Sequence, residues 1–449
     1  MGKSSEIKNI VLLLDNFNEE SEMLYDSFKR AGFNGLTLVV DDDGFFPSDV
    51  VSIYEYFCGK FSINENVPGK PRYFNQINCP DYWEISANNS SGKIQNRAIE
   101  KARIFYSEPK YKRLVRVVDW LNDKGIVRVC DHYNKYGALY AKTFFNKLGQ
   151  KFCKTYYDAD GKEIITENFV TNSIVLNRDN RIYVYKNKVD LILKVIDELK
   201  SANCSIYFNS LSTPFFVSNR MPKDSEGDIL FWQENVRNDI PGNMQMIFND
   251  KTSRVKKVLV QKKDSYNKLI ELGAPSDIVK PLGFAFDFKK NNNNTKEILI
   301  CTNSDNIEKI NEIVEALPNM HFNIAAITEM SPKLLSVGDY KNVSLFPAAR
   351  IKMIEELFDK CDIYLDINHE NEIVSAIKNA FLHNHLILGF EGIIHDKRFI
   401  AKEHIFNDHK LLIDFINKVD DNILDIERQI EIQRNHALSE DINKYVELL

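Results

Sequence analysis

The chain lacks any run of about 20 apolar residues, the length a membrane-spanning helix needs. It carries only seven cysteines in 449 residues; no two stand at CxxC spacing and the count is odd. That pattern fits reduced thiols in the cytoplasm better than a disulfide or zinc framework. Basic residues are in no excess: 58 Lys and Arg against 64 Asp and Glu leave a formal charge of −6. Bulk electrostatics therefore recruits no nucleic acid. No cleavable leader is expected either. The apolar run of MGKSSEIKNIVLLLD ends at Asp15, and no small-residue cleavage site follows. Glu6 stands where N-myristoylation needs Ser or Thr. No glycine-rich loop follows the first apolar run, where the residues are DNFNEESE. These absences predict a cytoplasmic protein without a cofactor. Any membrane contact would be peripheral, at the cytoplasmic face.

What is present is ordinary globular material, 44% hydrophobic and 27% charged, enough for about three domains. NIVLLLDNF (9–17) reads as a buried parallel strand. EESEMLYDSFKRAGF follows as a helix stopped by Gly32, and TLVVDDDGF (37–45) is a second strand. Strand, helix, strand opens a doubly wound α/β domain.

From Ala102 to about Lys186 apolar and polar residues alternate between the turn signals LNDKG, NKYG, NKLGQ and DADGK. The turn glycines Gly125, Gly137, Gly149 and Gly161 recur every 12 residues, and RDNR adds a further turn. This spacing predicts an antiparallel β-meander. Helix and strand alternation resumes at Lys188 with VDLILKVIDEL, SIYFNSL, DILFWQE and KKVLVQ. The first α/β domain is thus split, over 1–70 and 188–285, with the meander inserted at 71–187. KKNNNN (289–294) is polar and of low complexity; a flexible linker and a surface hairpin are both open. A second α/β domain with a terminal crossover helix is expected over 286–449. Two such domains would leave a cleft facing the carboxyl ends of parallel strands, where ligands usually bind.

The second half, through ICTNSDNIEKINEIVEALPN, KNVSLFPAARIKMIEELFDKCDIYLDI and ENEIVSAIKNAFLHNHLILGF, resembles the nucleotide-binding half of a GT-B glycosyltransferase. In retaining enzymes of that fold an arginine and a lysine after the first strand neutralise the diphosphate. Two glutamates eight positions apart flank a later helix. Aligned on Ile387 and Leu388, the arginine and lysine positions fall near Asn303 and Glu308, and the glutamate positions fall on Asn371 and Asn379. Four charged roles are lost, one with reversed sign. A diphosphate leaving group needs pre-placed positive charge, which a glutamate opposes. The donor site is therefore expected to be degenerate.

The meander and its flanks, KPRYFNQINCPDYWEI, ARIFYSEPKYKRLVRVVDWLNDKG, DHYNKYG, FVTNSIVLN, FNSLSTPFFVS and DILFWQENVRNDIPGNMQMIF, resemble the stabilising-subunit (GtfB) family of the accessory Sec O-linked N-acetylglucosamine glycosyltransferase. The resemblance covers most of the chain. It implies a GT-B-like protein without transferase activity of its own. Such a subunit pairs with a catalytic glycosyltransferase subunit and helps hold a serine-rich repeat polypeptide during glycosylation before export.

Trp120, Tyr133, Tyr136 and Tyr140 are expected either to face that partner or to be ordinary strand aromatics. Ser210, Ser212 and Thr213, at a strand end, either line the acceptor cleft or form a plain turn. Lys110, Lys112, Arg113 and Arg116 could meet anionic lipid or make a solvated face. The pair His383 and His385 has no carboxylate or cysteine at supporting spacing, so no metal site is assigned. Two alternatives to a stabilising subunit stay open: an active retaining transferase using a UDP-sugar through displaced acids, and a general chaperone for polar chains.

Overall fold

The computed structural model describes residues 9–59, 69–199, 203–223, 227–235 and 237–449; the readings on Met1, Gly2 and Glu6 lie outside them. A parallel sheet starts with β1 (Ile10–Leu14), β2 (Leu36–Val39) and β3 (Val50–Ser52). The chain then leaves it for ten consecutive antiparallel strands: β4 (Glu84–Ala87), β5 (Ser91–Asn96), β6 (Ile99–Tyr106), β7 (Val115–Leu121), β8 (Val127–Tyr133), β9 (Leu139–Phe145), β10 (Lys151–Tyr157), β11 (Glu163–Asn168), β12 (Ile174–Arg178) and β13 (Arg181–Tyr185). It returns to the parallel sheet with β14 (Ser205–Phe208), β15 (Asp228–Trp232), β16 (Val255–Val260) and β17 (Val279–Pro281). The resulting order is β17-β16-β15-β14-β1-β2-β3. The second parallel sheet comprises β18 (Glu297–Thr302), β19 (His321–Ala326), β20 (Val343–Phe346), β21 (Ile363–Asp366), β22 (Leu386–Phe390) and β23 (Ile405–Phe406), in the order β20-β19-β18-β21-β22-β23. The architecture is thus α/β, GT-B-like, with two Rossmann-like sheets and an antiparallel meander inserted in the first.

Two compact units result, Met1–Gly283 with Ile442–Leu449, and Phe284–Asp441. The last eight residues count with the first unit. Tyr445 is fully buried there, donates its hydroxyl to the Gly283 carbonyl at 2.7 Å, and meets Phe28 edge-on.

Local chemistry explains these elements. All five residues of β1 are buried, as a continuous apolar run in a parallel sheet requires. The helix Glu19–Arg30 turns Met23, Leu24 and Phe28 inward, and Asn18 caps it by accepting from the Ser21 amide. The four meander turns share one design. Asn122, Asn134, Asn146 or Asp158 opens each, its side chain accepting from the amides two and four residues on. A glycine at positive φ closes each. Seven-residue strands between them make the 12-residue period. The sheet begins earlier than the alternation suggested: β4 and β5 precede Ala102.

One row of directly paired residues crosses the meander: Phe105, Val117, His132, Ala141, Tyr156, Ile165, Leu176 and Tyr183. From Ala141 to Leu176 the row is buried in the same core as Val11, Leu13 and Leu38 of the parallel sheet. Phe105 and Tyr183, at its ends, are exposed. The other face carries a separate core at β4–β8, where Ile94, Ile104, Val118 and Tyr133 pack with Ile77. The meander is therefore seated on the first sheet by one half of one face.

KKNNNN is not a free linker. Lys290 pairs with the buried Asp362 at 2.7 Å. The Asn292 amide donates to the carbonyls of Asp362 and Asn384, and the amides of Asn293 and Thr295 donate to the Asp362 carboxylate. Burial opposes the charge of Asp362, but Lys290 and Thr295 outweigh it and hold the carboxyl below its usual range. Composition marked the segment as polar; the buried carbonyls and carboxylate it satisfies are distant in sequence.

Candidate functional site

In an open parallel sheet, ligands bind beyond the carboxyl ends of strands where the winding reverses. The first sheet reverses between β1 and β14. Asp15, just after β1, donates its amide to Asn209 Oδ1 at 2.9 Å. The Asn209 amide in turn donates to Ser21 Oγ and Gln233 Oε1, and Gln233 donates to Gln261 and the Glu20 carbonyl. This relay fixes the loops after β1, β14, β15 and β16 against one another.

Above the relay the crevice is lined by carboxylates and hydroxyls. The Asp15 carboxyl is raised from its ordinary value, chiefly by burial and then by Asp41, against hydrogen bonds from Ser210 and Ser212 and the charge of Lys188. Lys188 bridges Asp41 at 3.1 Å and Glu167 at 3.3 Å. Burial opposes its charge, and the two carboxylates overcome that and raise it. Glu167 also accepts from Tyr54, whose ring stacks on Tyr156 at 4.0 Å. The first turn of the adjoining helix carries Glu19, Glu20 and Glu22, which cancels the attraction a helix N-terminus offers to phosphate. Ser210 is half-buried and its hydroxyl accepts from the amide of the exposed Ser212 at 3.1 Å. Thr213 begins the following helix, Thr213–Arg220.

The second sheet reverses between β18 and β21. Here the two loops that would hold a nucleotide are paired to each other. Ile307 and Asn368 form an antiparallel bridge. The Glu308 amide donates to the Ile367 carbonyl at 2.8 Å, and the His369 amide to the Asn306 carbonyl at 3.0 Å. Glu308 Oε2 and His369 Nε2 stand 2.7 Å apart. Glu372 Oε1 accepts from the Ile377 amide at 2.8 Å, and burial lifts its carboxyl to about 6. The buried Asp366 accepts from both the amide and Nδ1 of His395, and Nε2 of His395 contacts the Glu370 carbonyl. Burial opposes protonation of His395, yet Asp366 and Glu370 raise it to about 9.

None of the four positions aligned with charged donor-site residues carries a cation. Asn303 is half-buried after β18, Glu308 is bound to His369, Asn371 is exposed, and Asn379 donates its amide to the Val374 carbonyl. Of the histidine pair, His385 is buried with Nε2 on the Phe358 carbonyl, and His383 contacts the Asn379 carbonyl.

Of the four meander aromatics, for which a partner face and ordinary strand packing were both open, two are too buried to face a partner. Tyr133 and Tyr140 are each 5% exposed and belong to the cores on opposite faces of the meander. Alternating aromatics reveal a strand, not which face is covered. Trp120 is half-buried and donates to Asp131 at 2.8 Å, and Tyr136 is half-buried against the shared core. Apolar residues are exposed at several places on the meander, Leu148 and Val170 among them; two, Ile182 at 72% and Val184 at 67%, stand together on β13, an edge strand.

Family models match in chain order: the GtfB N-terminal domain over residues 11–57, the GtfB middle domain over 83–186, the GtfB third domain over 188–272, and the GftB/GlyA-F C-terminal domain over 298–434. A relative from Streptococcus agalactiae is 41% identical over 443 residues, covering 98% of this chain and 99% of its own. The chain belongs to the GtfB family. That relative and one from Streptococcus gordonii, 38% identical over 98% of each chain, are named UDP-N-acetylglucosamine–peptide N-acetylglucosaminyltransferase stabilizing protein GtfB. A chain in the crystal structure of a GtfA/B complex bound to UDP and GlcNAc superposes with a TM-score of 0.86 at 38% identity, covering 98% of this chain and 99% of that one. The fold, without close sequence, recurs in a chain of the crystal structure of accessory secretory protein 1, 2 and 3 in Streptococcus pneumoniae, with a TM-score of 0.56 at 12% identity over 98% of this chain and 99% of that one.

Proposed function

We propose that this GtfB-family chain is the non-catalytic stabilising subunit of a complex that transfers N-acetylglucosamine from UDP-N-acetylglucosamine to Ser and Thr of a polypeptide. The observation that carries the reading is the closed crevice of the second unit. Its two loops pair with each other, and Glu308 falls near the position where the resemblance to a retaining GT-B enzyme expects a cation. The transfer chemistry then belongs to the catalytic partner.

The meander supplies the docking surface. β13 leaves one edge unpaired with Ile182 and Val184 exposed, and an open edge is suited to strand addition by another chain. The crevice of Asp15, Ser210 and Ser212, with Thr213 beside it, receives the acceptor, a serine-rich repeat polypeptide modified before accessory Sec export. The complex works in the cytoplasm, at the inner face of the membrane; no helix among the described residues is long and apolar enough to cross it.

Binding only the partner's native form stabilises it by mass action, by about 2.7 kcal/mol at 100 times Kd. Thermal melting of the catalytic subunit with increasing amounts of this chain tests the proposal. A midpoint that climbs with concentration is expected; a midpoint that stays fixed at saturating concentrations would contradict it.

A further inference from the structure

Resting on the reading that the complex works at the inner face of the membrane, we infer that one end of the meander is the surface by which this chain sits on an anionic lipid bilayer. Four hairpin turns share that end: residues 97–98 between β5 and β6, 122–126 between β7 and β8, 146–150 between β9 and β10, and 169–173 between β11 and β12. Strands lie about 4.8 Å apart, so these tips recur about every 10 Å along a row about 30 Å long. The tips are fastened to one another. Lys101 pairs with Asp123 at 2.7 Å, a Cβ at Gly149 would lie 3.3 Å from Ile126, and the Phe169 amide donates to the Phe152 carbonyl at 3.0 Å.

Apolar and basic side chains are interspersed along this row. Ile99 is 56%, Leu148 81% and Val170 77% exposed. The fold uses Leu148 and Val170 through their backbone amides, which donate to Asn146 Oδ1 and Asn168 Oδ1 and leave the side chains without a folding role. Arg97, Lys124, Lys147 and Lys151 are exposed beside them and have no ion pair among the described residues. The carboxylates of the same hairpin ends, Glu100 and Asp123, are held by Arg103 and Lys101. A chain with a formal charge of −6 thus keeps four uncompensated cations in one row. The opposite end of the meander differs. Among the described residues none of its hairpin turns exposes a large apolar side chain, and the Lys135 amide there donates to the Gly44 carbonyl in the loop after β2. Interfacial binding calls for the combination at the first end: apolar side chains enter the headgroup layer, and Lys or Arg meets anionic lipid. A protein partner would need a pocket about every 10 Å, whereas a bilayer is continuous and can meet all four tips at once.

Cosedimentation of the full chain with phosphatidylcholine vesicles, with and without phosphatidylglycerol, tests this. The chain is compared as wild type, as Leu148→Ser with Val170→Ser, and as Lys124→Gln with Lys147→Gln. All four positions are exposed and every turn amide is kept. Unchanged melting curves establish that the variants fold. The expected result is binding by wild type to the phosphatidylglycerol vesicles alone, at least about tenfold weaker binding by either double variant, and loss of wild-type binding in high salt. Equal binding of wild type to both kinds of vesicle would overturn the role of the cations. If wild type binds the anionic vesicles and both variants match it, the row is overturned as the lipid surface while the membrane reading stands. If the variants keep the vesicles but lose affinity for the catalytic subunit, the row is a protein interface and the inference fails. If wild type binds neither kind of vesicle, the membrane reading itself fails and takes this inference with it.

Discussion

Glu308 and His369 join two loops of the second unit, their Oε2 and Nε2 atoms 2.7 Å apart next to a backbone bridge between Ile307 and Asn368. The pair links the loop after β18 to the loop after β21, the two loops a parallel sheet of this winding uses to receive a ligand. A glutamate and a histidine that satisfy each other leave neither free to meet a diphosphate.

The same unit has a pH-dependent clamp. His395 is held by Asp366 with its folded-state value raised to about 9, against an unfolded value of about 6.5. A raised value means stability that is fully present below about pH 6.5 and lost as pH rises through about 9. Chemical denaturation of the second unit, followed between those limits, is expected to show that loss. His395→Ala leaves Asp366 buried without its partner and is expected to cost about 3 kcal/mol at pH 6. A variant as stable as wild type would remove the clamp from the account.

Gly44 sets how closely the meander seats on the first sheet. Its φ is +78°, and a Cβ there would lie 2.9 Å from Asn134 Cα and 3.0 Å from the Tyr133 carbonyl oxygen. Its own carbonyl accepts from the Lys135 amide, and Tyr140 donates to the neighbouring Asp42 carbonyl. Gly44→Val meets backbone on one side and a disfavoured φ on the other, and is expected to cost at least about 2 kcal/mol. Limited proteolysis should then release the meander faster than in wild type.

Docking through β13 predicts a loss without unfolding. Ile182 and Val184 pair with Asn177 and Val175, on the face away from Leu176 and the shared core. Substituting both with lysine places charge on an edge strand, a known means of blocking strand addition. Affinity for the catalytic subunit, measured by titration, is expected to fall at least about tenfold while the melting temperature holds. Unchanged affinity would remove β13 from the interface.

The sequence spelled out what depends on near neighbours. Asn or Asp three residues before glycine sets each hairpin within a single turn, and a run such as IVLLL can be satisfied only where both faces are covered. What it left unreadable depends on distant partners. KKNNNN looks solvated until Asp362 and Asn384 are brought beside it. Tyr133 and Tyr140 look like a surface until one is covered by Ile77 and the other by the first sheet. Ser210 and Ser212 were visible as hydroxyls at a strand end, but the neighbouring Asn209 holds the amide of Asp15, nearly two hundred positions away. The closure of the second crevice rests on residues 306–308 meeting 367–369, which no local pattern announces.

The central claim is that this chain stabilises a transferase and is not one. Intact-mass analysis of a Ser/Thr-rich peptide, incubated with UDP-N-acetylglucosamine and the purified chain, the catalytic subunit, or both, tests it most directly. The account predicts no added sugar with this chain alone and more sugar with both proteins than with the catalytic subunit by itself. Sugar added by this chain alone would contradict it, and would mean that the crevice closed by Glu308 and His369 opens to admit a nucleotide sugar.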